Sequence, residues 1–186
     1  MPDTQQSVPG SDTFLRPEAV LIQLPINEGF KVADFGAGSG YFSVLFAQRV
    51  GSEGKVFAID VVSEALEAIR SRARLAGVAN IEAKRANLEV PGSTGLNDAS
   101  LDLVFIANVL FQSQKKEAIL KEAVRVLKSG GFLVVIGWHK EQPFVSKEGL
   151  WPLSESEARQ LAEKLDLKFE KKLDVGAYHW GSIFKK

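Results

Sequence analysis

The sequence predicts an α/β fold: a seven-stranded, mostly parallel sheet with its last strand antiparallel and helices on both faces. Three observations carry that expectation. From Lys31 onward, apolar runs of strand length alternate with longer amphipathic segments, the pattern of strands joined through crossover helices. Gly36, Gly38 and Gly40 follow the first such run directly. The last two strand-like runs are separated only around Gly176 and Ala177, too short a span for a crossover helix, so they pair antiparallel.

Residues 1–12 are polar and broken by Pro2 and Pro9; they bury too little apolar surface to offset ordering entropy and read as a flexible arm. Residues 13–186 read as one domain, in keeping with a length of 186 residues. In RPEAVLIQL, Pro17 suits a first helical position and Val20, Leu21 and Leu24 share a face, which gives a short helix. KVADF is the first strand, GYFSVLFAQRV a helix closed by Gly51, and KVFAID the second strand. Ser63 is expected to cap a helix through Ala76 that Gly77 ends, followed by NIEAKRA as a shorter third strand. LDLVFIAN is strand four, KKEAILKEAVRVLK a helix stopped by Gly130 and Gly131, and FLVVIGW strand five. After an irregular stretch, Ser154 stands three residues ahead of Glu157, the spacing of a capping box. LKFEKKLDV and YHWGSIFKK are the closing pair.

Composition removes several classes of function. Basic and acidic side chains balance at 23 each, so the chain lacks the broad positive field of a nonspecific nucleic-acid binder. Without cysteine there is no disulfide, thiolate nucleophile or cysteine-ligated metal, and two separated histidines, His139 and His179, do not suggest a metal site. No secretory leader or membrane span is evident, which points to a soluble, cytoplasmic protein.

In an open α/β sheet, the turn after the first strand lies where ligands bind beyond the carboxyl ends of the strands. Bare glycines there admit unusual dihedral angles and let a ligand sit against the main chain. Asp60, closing the second strand, is placed to accept both hydroxyls of a ribose. Together they indicate an adenosine-containing ligand. The dinucleotide fingerprint needs a third glycine where Tyr41 stands, and Asp34 would repel a diphosphate but attract an ammonium group, so an amino-acid-bearing nucleoside is favoured.

The stretch VADFGAGSGYFS resembles motif I of the class I S-adenosylmethionine-dependent methyltransferases, an acid followed by G-x-G-x-G. The resemblance continues in order through FAIDVVSEAL, KRANLEVP, SLDLVFIANVLFQ and AVRVLKSGGFLVVIGW, and is nearest to the small branch that includes quinone-biosynthesis methyltransferases. It implies a Rossmann-like methyltransferase fold and S-adenosylmethionine as cofactor. By that resemblance Asp34 would hold the methionine amino group and Gly36, Gly38 and Gly40 would form the floor. Asp60 would take the ribose diol, Val61 would pack on adenine, and Asn87 and the Leu88 N–H would meet the ring edge. Asn108 would lie near the methionine moiety and the incoming substrate.

Methyl transfer from a sulfonium is chiefly a matter of alignment, so a base is optional; His139, after strand five, is the candidate, and His179 is expected on a hairpin surface. Tyr41, Phe111 and Trp138 could face the sulfonium. The arm, the Asn108–Ser113 turn and the 139–153 loop, with Phe144, Leu150 and Trp151, would select the substrate. A small apolar or aromatic metabolite is the first choice. A protein side chain or terminus, a noncatalytic cofactor-binding relative and a nucleotide-linked oxidoreductase remain as alternatives.

Overall fold

The computed structural model describes residues 15–142, 145 and 148–186; the arm expected at 1–12, and Phe144 and Lys147 within the later loop, lie outside them. The strands β1 (Lys31–Phe35), β2 (Lys55–Asp60), β3 (Ile81–Arg85), β4 (Leu101–Ala107), β5 (Leu127–Trp138), β6 (Lys168–Lys172) and β7 (His179–Lys185) form one sheet, in the order β3-β2-β1-β4-β5-β7-β6. All neighbours pair parallel except β7, which runs against both β5 and β6. This is the architecture that the alternation of apolar runs predicts. The strand order turns back between β1 and β4, which opens a crevice at their carboxyl ends.

The helices α1 (Pro17–Leu21), α2 (Tyr41–Val50) and α3 (Ser63–Leu75) cover one face, and α4 (Lys116–Val126) and α5 (Glu155–Glu163) the other. Alternation along each strand divides the core accordingly. Val32, Phe105, Val134 and Ile183 pack against Val20, Phe46 and Val50, whereas Ala33, Ile106, Val135 and Phe184 pack against Leu120, Ala123 and Ala158. Burial on both faces explains why β1 and β4 are mostly apolar without a strict alternation, interrupted only at Lys31, Asp34 and Asp102.

Several local signals act as expected. Pro17 occupies the first turn of α1, and Gly51 closes α2 with φ 69°. Gly77, with φ 66°, ends α3 in a Schellman pattern: its N–H donates to Arg74 O at 3.1 Å and that of Val78 to Ala73 O at 3.1 Å. Ser154 and Glu157 form the full capping box of α5.

Two expectations fail. Ser63 does not cap α3 but is its first helical residue; Val62 holds the N-cap position, no side chain caps the helix, and Asp60 Oδ1 accepts from Val62 N–H at 3.0 Å just before the first turn. The helix drawn through Lys128 stops at Val126, because Leu127 turns extended to pair with Leu101 across the sheet. Gly130 and Gly131 therefore lie within β5 and hold the chain end: Gly130 N–H donates to Lys186 O at 2.7 Å, and Lys186 N–H to Gly131 O at 3.0 Å.

Candidate active site

The turn from β1 into α2 is built on backbone that only glycine adopts freely. Gly36, Gly38 and Gly40 have φ of 75°, 53° and 77°, which is why three side chains are given up there. Their neighbours differ. A Cβ on Gly36 would meet Val109 Cγ2 at 2.3 Å and one on Gly40 would meet Ile69 Cγ1 at 2.8 Å, whereas nothing lies within 4 Å of one on Gly38. Gly36 admits the β4 turn, Gly40 seats α2 against α3, and Gly38 faces open space.

That space is a cleft of about 710 Å³ at the carboxyl edge of the sheet, lined by Gly36, Gly38, Asp60, Val61, Asn87, Leu88 and Asn108 among others. Seven residues singled out in the sequence thus converge on one cavity. Asp60 fastens it: Oδ2 accepts from Gly38 N–H at 2.9 Å, while Oδ1 holds Val62 N–H. One carboxylate ties the glycine turn to the start of α3 and still keeps acceptor capacity for a ligand. On the next loop, Asn87 Oδ1 accepts from Glu89 N–H at 3.0 Å and the Asn87 carbonyl from Ser93 Oγ at 2.5 Å, an arrangement that leaves Asn87 exposed and turns Leu88 inward.

Asp34 and Gly40 lie beneath the cleft and do not line it. Asp34 is 3% exposed and accepts a 2.6 Å hydrogen bond from Ser43 Oγ. Burial pushes its carboxyl up to about 7, and the nearby Asp60 charge adds to the effect against the Ser43 bond. The aromatic trio also separates. Tyr41 turns outward with Arg72 5.0 Å from its ring centroid, Phe111 accepts Trp151 N–H at its carbonyl at 2.7 Å, and Trp138 stacks on His179 at 3.7 Å between centroids.

His139 follows β5, half-buried, its N–H donating to Tyr178 O at 2.9 Å, and it does not line the cleft. The surface position expected for His179 is wrong. The antiparallel register sets it opposite Trp138 at the carboxyl edge, 3% exposed, with Nε2 3.2 Å from Asn108 Nδ2. Burial, with the His139 charge beside it, lowers its pKa to about 4, so the imidazole is neutral at physiological pH.

A family of methyltransferase domains matches residues 26–179. A solved S-adenosylmethionine-dependent methyltransferase from Aquifex aeolicus superposes with a TM-score of 0.78 at 28% identity, over 92% of this chain and 89% of that one. The chain belongs to the class I S-adenosylmethionine-dependent methyltransferases.

Curated relatives of this chain include the ubiquinone/menaquinone biosynthesis C-methyltransferase UbiE of Haemophilus ducreyi, 37% identical over 116 residues, 62% of this chain and 44% of that protein. The arsenite methyltransferase of Aquipseudomonas alcaligenes is 33% identical over 117 residues, 61% of this chain and 34% of that protein. The chain thus spans between a third and half the length of these two relatives. S-adenosylmethionine is the cofactor of the family, and the cleft suits it: bare main chain at Gly38, a carboxylate at the end of β2 and apolar surface at Val61, Leu88 and Ile119. Among the described residues no group of histidine, aspartate or glutamate is arranged to hold a metal ion, and no helix is long and apolar enough to cross a membrane.

Sequence reasoning brought the Asn108–Ser113 turn to the site but missed Glu89 and the bonds that tie that turn to the loop after β3. Ser113 Oγ donates to Glu89 Oε1 at 2.6 Å, and Lys115 Nζ stands 3.6 Å from Glu89 Oε2, so the loop after β3 is pinned to the turn after β4. Glu89, Gln112 and Ser113 all line the cavity. No local pattern announces a contact between loops so distant in the chain.

Proposed function

We propose that this chain transfers the methyl group of S-adenosylmethionine to a small apolar or aromatic metabolite. The observation that carries the reading is the convergence of Gly38 main chain and the Asp60 carboxylate on one cleft that also presents the apolar side chains of Val61, Leu88 and Ile119. When bound, the cofactor supplies an electrophilic methyl on a sulfonium. The chain's task is to hold and orient, which by alignment alone can lower a barrier by about 7–11 kcal/mol. In this reading Asp60 takes the ribose diol, Val61 and Leu88 flank the adenine, Asn87 meets its edge, and the Gly38 turn carries the amino-acid end. Asp34, sealed under that turn, stabilises its positive charge through the turn instead of touching it. A single domain over 13–186 is supported by the one sheet that runs through the described elements, and the cysteine-free composition supports a cytoplasmic setting.

Thermal unfolding with S-adenosylhomocysteine and with NAD tests the cofactor. Stabilisation by the first alone is expected; stabilisation by NAD alone supports an oxidoreductase and neither supports a noncatalytic relative. Labelled methyl transfer into a fractionated cell extract then tests the acceptor. Label is expected among small molecules, and label confined to protein overturns that half of the reading. Asp60→Ala is expected to weaken S-adenosylhomocysteine binding by about 1.5–3 kcal/mol, measured by calorimetry. Unchanged affinity would remove Asp60 from the site.

A further inference from the structure

At the carboxyl edge of the sheet, Gly36, Gly38, Asp60, Val61, Asn87 and Leu88 gather over the ends of β1, β2 and β3. The other half of that edge, over β4, β5 and β7, is marked by Asn108, Trp138 and His179. Asn108 Oδ1 and His179 Nδ1 are both buried and without a hydrogen-bond partner among the described residues. An unpaired polar atom in such a place is costly to the fold unless a ligand satisfies it. With the Asn108 amide donating to His179 Nε2, the imidazole proton sits on Nδ1, so the pair offers one unmet acceptor and one unmet donor.

The surroundings hold that pair in place. Asn108 is one of three non-glycine residues with positive φ among those described, at 56°. Its N–H donates to Ile136 O at 2.9 Å and its carbonyl accepts from Gln112 Nε2 at 2.8 Å. Non-glycine backbone held in this region clusters at functional sites. The His179 ring is fixed by Trp138 at 3.7 Å. Neither residue forms an ion pair among the described residues, and burial keeps the imidazole neutral.

We propose that the Asn108 and His179 pair is the recognition point for the methyl acceptor, taking an uncharged group that both donates and accepts hydrogen bonds, a hydroxyl above all. The inference rests on the methyltransferase reading and narrows its substrate. A carboxylate could meet only the Nδ1 donor, an ammonium only the Oδ1 acceptor, and either would be buried without a counter-charge. A hydroxyl can serve either atom, donating to Asn108 Oδ1 or accepting from His179 Nδ1–H, and carries no charge to desolvate. Asn108 lines the cleft; His179 acts partly through it, setting which way its amide points.

Three probes of one size separate these outcomes: benzyl alcohol, benzoate and benzylamine, titrated into protein saturated with S-adenosylhomocysteine. The Asn108 side-chain amide and the His179 ring nitrogens are followed by NMR. Benzyl alcohol is expected to shift both sets of signals and to bind about tenfold more tightly than either ion. In His179→Phe that preference should vanish while S-adenosylhomocysteine affinity stays within about twofold of the native value. His179→Gln, which can still accept from the Asn108 amide, should restore part of it and serves if the phenylalanine variant does not fold. Absent shifts with benzyl alcohol, equal binding of benzoate, or an undiminished preference in both variants overturns the proposal. Failure of S-adenosylhomocysteine to bind at all sinks the methyltransferase reading instead, and the same titration on unloaded protein then decides the pair.

Discussion

Asp34 shows how a single buried acid links motif to stability. Its folded-state pKa, about 7, lies above the 3.8 of the free side chain. Its contribution is therefore complete below about pH 4 and is lost as the pH rises toward 7, since the unfolded chain releases the proton first. Asparagine imitates the protonated carboxyl and keeps an oxygen for Ser43. In chemical denaturation of the cofactor-free protein, Asp34→Asn should match the native chain near pH 4 and exceed it progressively to pH 7, by an amount on the order of 4 kcal/mol at most. Parallel stability curves across that range would exclude a shifted Asp34. The motif glycines separate on equally local grounds. Alanine at Gly38 meets no neighbour and bears only the strain of a left-handed dihedral, about 1–2 kcal/mol. At Gly36 the same change adds a 2.3 Å collision with Val109 Cγ2. Melting temperatures should therefore fall further for Gly36→Ala than for Gly38→Ala; the reverse order would contradict the geometry.

At the scale of elements, α4 does more than cover the sheet. Glu122, on its inner side and 2% exposed, accepts from Thr94 Oγ at 2.5 Å, Gly92 N–H at 2.9 Å and Arg125 Nη2 at 2.7 Å. Arg125 in turn binds Leu96 O at 2.9 Å and Asp98. These bonds, led by those from Arg125, hold the Glu122 carboxyl at about 2, well below the usual range. The helix thus anchors the 86–100 loop that brings Asn87, Leu88 and Glu89 to the cleft. Glu122→Ala strands the Thr94 hydroxyl and the Gly92 N–H, and should cost about 2–3 kcal/mol in urea unfolding together with a weaker affinity for S-adenosylhomocysteine. Loss of stability with cofactor affinity intact would show that the loop keeps its shape without the anchor. None of this was visible beforehand, because Glu122 reads as an ordinary polar position of an amphipathic helix. The end of α4 escaped for a related reason: glycines normally stop helices, and only the pairing of Leu127 with Leu101 shows that the chain had already become a strand.

On the scale of the whole molecule, the sheet divides its carboxyl edge into two working halves. The half over β1, β2 and β3 was legible in the chain because its chemistry depends on local backbone: glycines that must adopt positive φ, an acid closing a strand, a loop two residues beyond another. Such requirements appear as residue types at short spacing, and the sequence by itself therefore determined the strand and helix order, the antiparallel ending and most of the residues that line this part of the cleft. In the half over β4, β5 and β7 the sequence marked Asn108 and the turn after it, but the meeting of Asn108 with His179 was decided by tertiary structure alone. Reversal of β7 carries His179 from the final hairpin to a buried place against Trp138 and Asn108, residues 41 and 71 positions away by the pairing of β5 with β7 and the side-chain contact. No spacing rule spans such distances, since what fixes the meeting is the register of two strands and the burial that follows from it.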